Sequence, residues 1–529
     1  MDTISSGRRA PWLLILALPV GLAAAALLLF AGRPSAHAGP GRGGAAVGFV
    51  YNAAACASSP DLPSSGWDYP QPAATVENWV RAGDIRRART HGWWLWAALN
   101  QQARTPGGAA PLWRGWCTAN QAYAAVVRER AAPPASSAAP AVQPAGLALA
   151  ANRDANNDSS SDPIQLPNGP TYPVPAPLRR GKCYQNGSLT DGASFANNGD
   201  VMVAGVIYNA PAYKWIRDNG LYLQANLNRK LPAKGQIGSI GQMPRGSVVL
   251  KPMMWPVPAI GYSALPVWDG PTRDNGTYAG FENKALWPRA VAVTAQTGGP
   301  ARTNVSYLYN NVQIATGGTA PITYSQAPVA RVTQFYHYKP DLAGMEECDR
   351  ALLNASAMWA YNRPFRQGDY LILIAMHIMT KEQLAWTFQS TYWSDRPDEG
   401  EEGRDKPIIP NAKGPWRHYK MASTYGVAES TRPPVWGVHF NPYIELAADH
   451  PIQTNCMNCH HRAAWPARAA PKTGQYLTSL PSDPGKIGAV ATDNAIFRDL
   501  ALTDNQWSLP FRAKGPKPPK PAGAGQSKK

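Results

Sequence analysis

"DYLILIAMHIMT", residues 369–380, places Leu371, Leu373, Ala375, His377 and Met379 on one side of an extended chain and Ile372, Ile374, Met376 and Ile378 on the other. Both sides are apolar, which is the pattern of a strand covered on both faces and therefore central in its sheet. A turn over Lys381–Leu384 returns the chain into "AWTFQSTYW", residues 385–393, and predicts an antiparallel pair. Working outward, "SVVLKPMMWPV" from Ser247, "RAVAVTAQ" from Arg289 and "RVTQFYHY" from Arg331 read as further strands bounded by Pro and Gly. "VMVAGVIYNAPAYKWIRDNGL" from Val201 reads as a helix. Toward the N-terminus, Thr75–Ala103 has helical character, with Asp84 placed as a cap and Trp93, Trp94, Leu95, Trp96 and Leu99 gathered toward the end. "PLWRGWCTANQAYAAVVRERA" from Pro111 predicts another helix. The expected fold class is α+β: a helical N-terminal segment at 39–130, an Ala/Pro/Ser-rich linker or loop at 131–178, and a mixed body with antiparallel strands at 179–511.

A chain of 529 residues, 44% hydrophobic, is long enough to bury a large core. Its formal net charge is +17, but Arg512, Lys514, Lys517, Lys520, Lys528 and Lys529 fall in a Pro/Gly-rich segment, 512–529, that reads as a disordered basic tail. A moderately basic body suits an acidic protein partner or an anionic lipid surface, and there is no nucleic-acid-binding module. Arg8-Arg9 precede an apolar run, 12–31, followed by Ala36-His37-Ala38. Residues 1–38 thus read either as a cleaved signal peptide or as an anchor that attaches the protein to the inner membrane through 12–31, and both place the body in the periplasm. The arginine pair also fits a twin-arginine signal, although the unfolded export route suits the chain better.

The chemistry lies late in the chain, in "NCMNCHHRAAWP", residues 455–466. Cys456, Cys459 and His460 form the C-x-x-C-H pattern of covalent c-type haem attachment: two thioether-forming sulfurs one helical turn apart, then the proximal iron ligand. Chance occurrence in a chain of this composition is roughly one in a thousand. One haem c is therefore expected. Zinc on Cys456, Cys459 and a histidine is the rival, but no second Cys/His pair sits at finger-like spacing. His461 reads as a surface or propionate-side neighbour. No methionine follows Met457, so any distal iron ligand comes from upstream. His377, on its apolar strand, is the first candidate, equally readable as a core histidine bonded to a carbonyl; Met253, Met254, Met376 and Met379 are weaker ones. The other four cysteines, Cys56, Cys117, Cys183 and Cys348, are an even set that allows three disulfide pairings, nearest-neighbour closure being one.

On "HGWWLWAALNQ", "SVVLKPMMWPV", "LILIAMHIMTKEQLAWTFQSTYW", "FNPYIELA" and the haem motif, the chain resembles a bacterial group called cytochrome c family proteins, which are large, exported and carry a single haem. The resemblance implies c-type haem binding in a periplasmic redox setting and names no substrate. With the motif embedded late in a β-containing body, a compact all-helical cytochrome c is not expected. The expected function is periplasmic electron transfer with a redox protein partner; a haem-dependent oxidoreductase, or a subunit of one, and a haem-based sensor or binding protein are the alternatives.

Overall fold

The apolar strand of 369–380 becomes the spine of an eight-stranded sheet in the computed structural model. The structure describes residues 56–63, 65–105, 108–124, 174–269, 281, 287–307, 321–426, 441–444, 456–467 and 492–515. These all belong to one compact unit, Ala46–Lys529. Residues 1–38, expected to direct export, most of the expected linker at 131–178 and the tail from 516 lie outside the described residues.

Two helices lead the described chain, α1 (Ala73–Ala82) and α2 (Ile85–Leu99), separated by Gly83 in the left-handed conformation. Asp84 caps α2 as expected, its carboxylate accepting the Arg87 N–H. The strands of the two larger sheets follow in chain order: β1 (Cys117–Thr118), β2 (Val203–Ala204), β3 (Ile207–Tyr208), β4 (Val248–Val257), β5 (Ser263–Val267), β6 (Arg289–Thr294), β7 (Arg302–Tyr307), β8 (Ile322–Arg331), β9 (His337–Tyr338), β10 (Tyr370–Thr380), β11 (Thr387–Trp393) and β12 (Tyr419–Tyr425). The main sheet runs β12-β11-β10-β4-β3-β1, with β9 also beside β10 and β2 beside β4. The second is β5-β6-β8-β7. The antiparallel return of β10 into β11 stands as read, pairing Thr380 with Thr387 and His377 with Ser390.

Four readings need correction. The 201–221 helix is real only over Ala210–Asp218; before it, β2 and β3 pair with β4, so sheet hydrogen bonding overrides a locally helical pattern. Asn209 marks the true start, capping Ala212 N–H. "RVTQFYHY" forms a 3-10 turn at Val332–Gln334, closed by the Gln334 side chain on Arg331 N–H, and only the short strand β9. The helix from Pro111 breaks into a 3-10 turn (Leu112–Gly115), β1 and the helical turn Ala119–Tyr123. The tail also begins later than its composition suggests: Arg512 is buried and paired with Asp191 at 3.1 Å, and the Lys514 backbone bonds Tyr222 and Gln224.

The thiols close as nearest neighbours, Cys56 with Cys117 and Cys183 with Cys348. The first ties the chain ahead of α1 to the sheet; the second ties the 183–204 segment to the helix Glu347–Tyr361.

The sheet has two dissimilar faces over 376–380. Against one lies α2, drawn so close that a Cβ on Gly92 would stand 2.8 Å from the Met421 sulfur. Here Trp93 and Trp96 enter the large core, Trp96 lying 5.0 Å from the Tyr419 ring centre. The other face carries Met379, Phe388 and Val249 into a smaller core shared with Cys456 and Met457.

Candidate haem-binding site

Cys456–His460 forms a single short helix, so the two cysteines are presented one turn apart with the histidine beyond them. Met457 is fully buried and Cys456 nearly so, and both pack beside Met379, Ala385, Trp386 and Phe388. The side chain of Cys459 is outside the described residues. The His460 ring lies 5.2 Å from that of Phe388 on β11, which sets the motif against the sheet face opposite α2.

His460 Nδ1 is 2.9 Å from the Asn505 carbonyl oxygen. A carbonyl can only accept, so Nδ1 is the protonated nitrogen and Nε2 keeps its lone pair. This is the tautomer an iron-ligating histidine needs, with the second nitrogen oriented by a backbone carbonyl. Burial pushes His460 down to about 3; the Asn505 carbonyl opposes this, while His377, Lys251 and His461 reinforce it. The imidazole is therefore neutral at physiological pH, as metal ligation requires.

That His377 and Lys251 act on His460 agrees with the register: His377 on β10 faces Lys251 on β4 and Ser390 on β11, all on the motif's side of the sheet. Met379 shares that side and the same core as Cys456. Met253, Met254 and Met376 belong to the large core instead, and Met376 pairs on the face turned to α2. Met253, paired with Ala375, is on the motif's side by alternation but packs in the large core, so His377 and Met379 are the two candidates on that side that remain outside that core. His461, expected at the surface or beside a propionate, is buried, with Nε2 3.5 Å from the Ala385 carbonyl.

The strand's alternation is not continuous, because the β10–β4 register shifts between Leu373 and Ala375. The bulge separates Leu371 and Leu373 from the set Ala375, His377, Met379, so the motif faces only the C-terminal half of β10.

Two groups of residues escaped the sequence reading. The turn Lys381-Glu382-Gln383 has the look of a solvated hairpin end, yet all three side chains are buried. Lys381 pairs with Asp504 at 2.7 Å. Glu382 approaches His91 Nε2 at 3.2 Å, and His91 Nδ1 is 2.6 Å from the Tyr425 hydroxyl. Burial pushes Glu382 up, but His91, the Gln71 N–H and the Thr380 hydroxyl more than offset it and hold its carboxyl below the usual range. The available signal was the flanking strands: a turn joining two strands that are apolar on both faces ends inside the protein. Asn441 of "FNPYIELA" also gains a role, since its amide donates to Ser390 Oγ and the Thr391 carbonyl, at 2.9 Å each, and ties residues 441–444 to β11.

Among the described residues no three His, Cys, Asp or Glu side chains gather as a metal cluster, and no helix is long and apolar enough to cross a membrane. No family model matches the chain, and no curated protein or solved structure matches it either.

The donor set fits one c-type haem. Cys456 and Cys459 would hold the porphyrin covalently and His460 the iron, and Phe388, Met379 and His377 would supply the facing wall. A bound haem c would supply one-electron chemistry at iron, its potential governed by axial ligation, burial and hydrogen bonding.

Proposed function

We propose that this chain is an exported c-type cytochrome that carries one covalent haem on Cys456 and Cys459, with His460 as proximal ligand, and serves electron transfer in the periplasm. The observation that carries the reading is the orientation of His460, whose Nδ1–H is committed to Asn505 and whose Nε2 is left for a metal. The two disulfides support an oxidising compartment. Reached through 12–31 or released after cleavage, the body works on the same side of the membrane. Exposed Arg229, Lys230, Lys234, Arg498 and Lys514 favour an acidic redox protein as partner, and they flank the segment that Trp465 joins to Asn228.

The test is the absorption spectrum of protein matured where haem-attachment machinery is present, oxidised and reduced, with and without carbon monoxide. Low-spin bands indifferent to the gas agree with electron transfer. A high-spin spectrum that shifts with it overturns that reading in favour of a haem-dependent oxidoreductase or a sensor. His377→Ala sharpens the result: loss of the low-spin bands in a folded variant identifies the distal ligand, and an unchanged spectrum removes His377 from that role.

A further inference from the structure

We propose that the buried Lys381–Asp504 ion pair is the positioning device for the His460 imidazole, an inference that rests on the haem reading. The pair is almost wholly enclosed, with 3% and 2% of the two side chains exposed. Lys381 also donates to Gln242 Oε1 and to the Leu384 carbonyl at 2.9 Å, and lies 5.0 Å over the Trp386 ring. The second oxygen of Asp504 accepts the Met243 N–H at 2.7 Å. The Lys381 ammonium and the Met243 N–H thus hold one carboxylate oxygen of Asp504 each.

The next residue is Asn505, whose carbonyl takes the His460 Nδ1–H. Asp504 and Asn505 have φ of 49° and 66°, a left-handed conformation that two successive residues with side chains rarely adopt. Such a turn persists only where its surroundings over-determine it. The ion pair holds its first residue, and the Asn505 amide holds the second through the Ala385 carbonyl at 3.3 Å. Lys381 and Ala385 belong to the one turn that joins β10 to β11, and Ala385 also meets His461. The main sheet thus aims the carbonyl behind the proximal imidazole through a single polar relay. An apolar pair of the same volume would serve stability as well; orientation of the carbonyl is what the charges add.

The experiment compares the full chain with Lys381→Met, Asp504→Asn and the Lys381→Met/Asp504→Leu double variant. Each is expected to keep one covalent haem per chain. The pH at which acid detaches His460 from iron should rise by about one unit, the tenfold loss of ligation typical of a removed outer partner. The double variant, which leaves no uncompensated charge, should recover thermal stability without recovering ligation, whereas a merely structural pair would recover both. Detachment at the wild-type pH in all three folded variants overturns the proposal. If these variants do not fold, Asn505→Gly relieves the backbone and keeps the carbonyl. It should shift detachment in the same direction by less, and a wild-type value contradicts the proposal. Histidine-labelled 15N spectra of the haem-free full chain give an independent reading. Wild type should show His460 as the Nδ1–H tautomer and the variants a mixture. A wild-type chain that takes up no haem defeats the haem reading, and the tautomer spectra still decide the positioning role.

Discussion

The two faces of β10 over Met376–Thr380 differ in what they ask of their residues. Toward α2 the sheet is closed by tryptophan and tyrosine, and the buried His91, Glu382, Tyr425 and Gln389 side chains contact one another there. Toward the Cys456–His460 helix it offers a smaller core, together with a half-buried histidine and a lysine that act on His460. One face is closed by large buried rings, and the other is the one the Cys456–His460 helix meets. If the proposed haem is bound, the far side of the sheet that the rest of the chain assembles would form one wall of its site.

The largest effect expected on the motif's face is all-or-none. Replacing both Cys456 and Cys459 by Ser should abolish pigment that survives denaturation and acid-acetone extraction, while the circular dichroism spectrum keeps its β-sheet signature. Pigment that persists through extraction would break the assignment of that face.

On the face toward α2, Trp96→Ala removes a fully buried ring that packs on Tyr336 and Tyr419 and donates to the Trp416 carbonyl at 3.3 Å. A loss of about 3–5 kcal/mol in denaturant melts is expected, with the haem spectrum of the folded fraction unchanged. A spectral change as large as that of His377→Ala would show that the faces are not separable.

A smaller, pH-dependent effect belongs to neither face. Burial pushes the Asp349 carboxyl up to about 6, against the N–H groups of Phe195 and Ser194 that it accepts. The folded protein therefore binds this proton more tightly than the unfolded chain. The contribution of Asp349 to stability falls as pH rises from about 4 to about 6 and is level beyond, by on the order of 1–3 kcal/mol. Denaturant melts at pH 4 and pH 7 should show that decrement in wild type and not in Asp349→Asn; equal decrements in the two would contradict it.

Smallest of all should be Gly92→Ala. The new methyl would stand 2.8 Å from the Met421 sulfur and 3.1 Å from Gln389 Cγ, so both side chains must give by a few tenths of an ångström, and the gain in helix propensity of about 1 kcal/mol offsets that cost. Stability within about 1 kcal/mol of wild type is expected from the same melts, and a loss above about 3 kcal/mol would mean that Met421 cannot yield.

Much of this division could be read in the amino acids. Apolar alternation gave β10, and the C-x-x-C-H spacing gave the helix that meets it. The sequence could not reveal the bulge at Leu373/Ala375, because a one-residue slip depends on the partner strand and leaves the apolar pattern intact. Lys381 and Glu382 misled for a related reason: charge in a turn signals solvent unless the partners are known, and Asp504 and His91 lie more than a hundred residues away in the chain. At 201–221, valine and isoleucine were compatible with either period, and pairing with β4 decided for strands. The Asn505 carbonyl behind His460 was beyond reach for a plainer reason, since any residue carries a carbonyl.

The most direct test of the central claim is the intact mass of the mature chain, produced with haem-attachment machinery and measured after denaturation with its disulfides reduced. The account predicts the polypeptide mass plus that of one haem, lost together when Cys456 and Cys459 are replaced. A bare polypeptide mass from pigment-free protein that is folded and has both disulfides closed would contradict it.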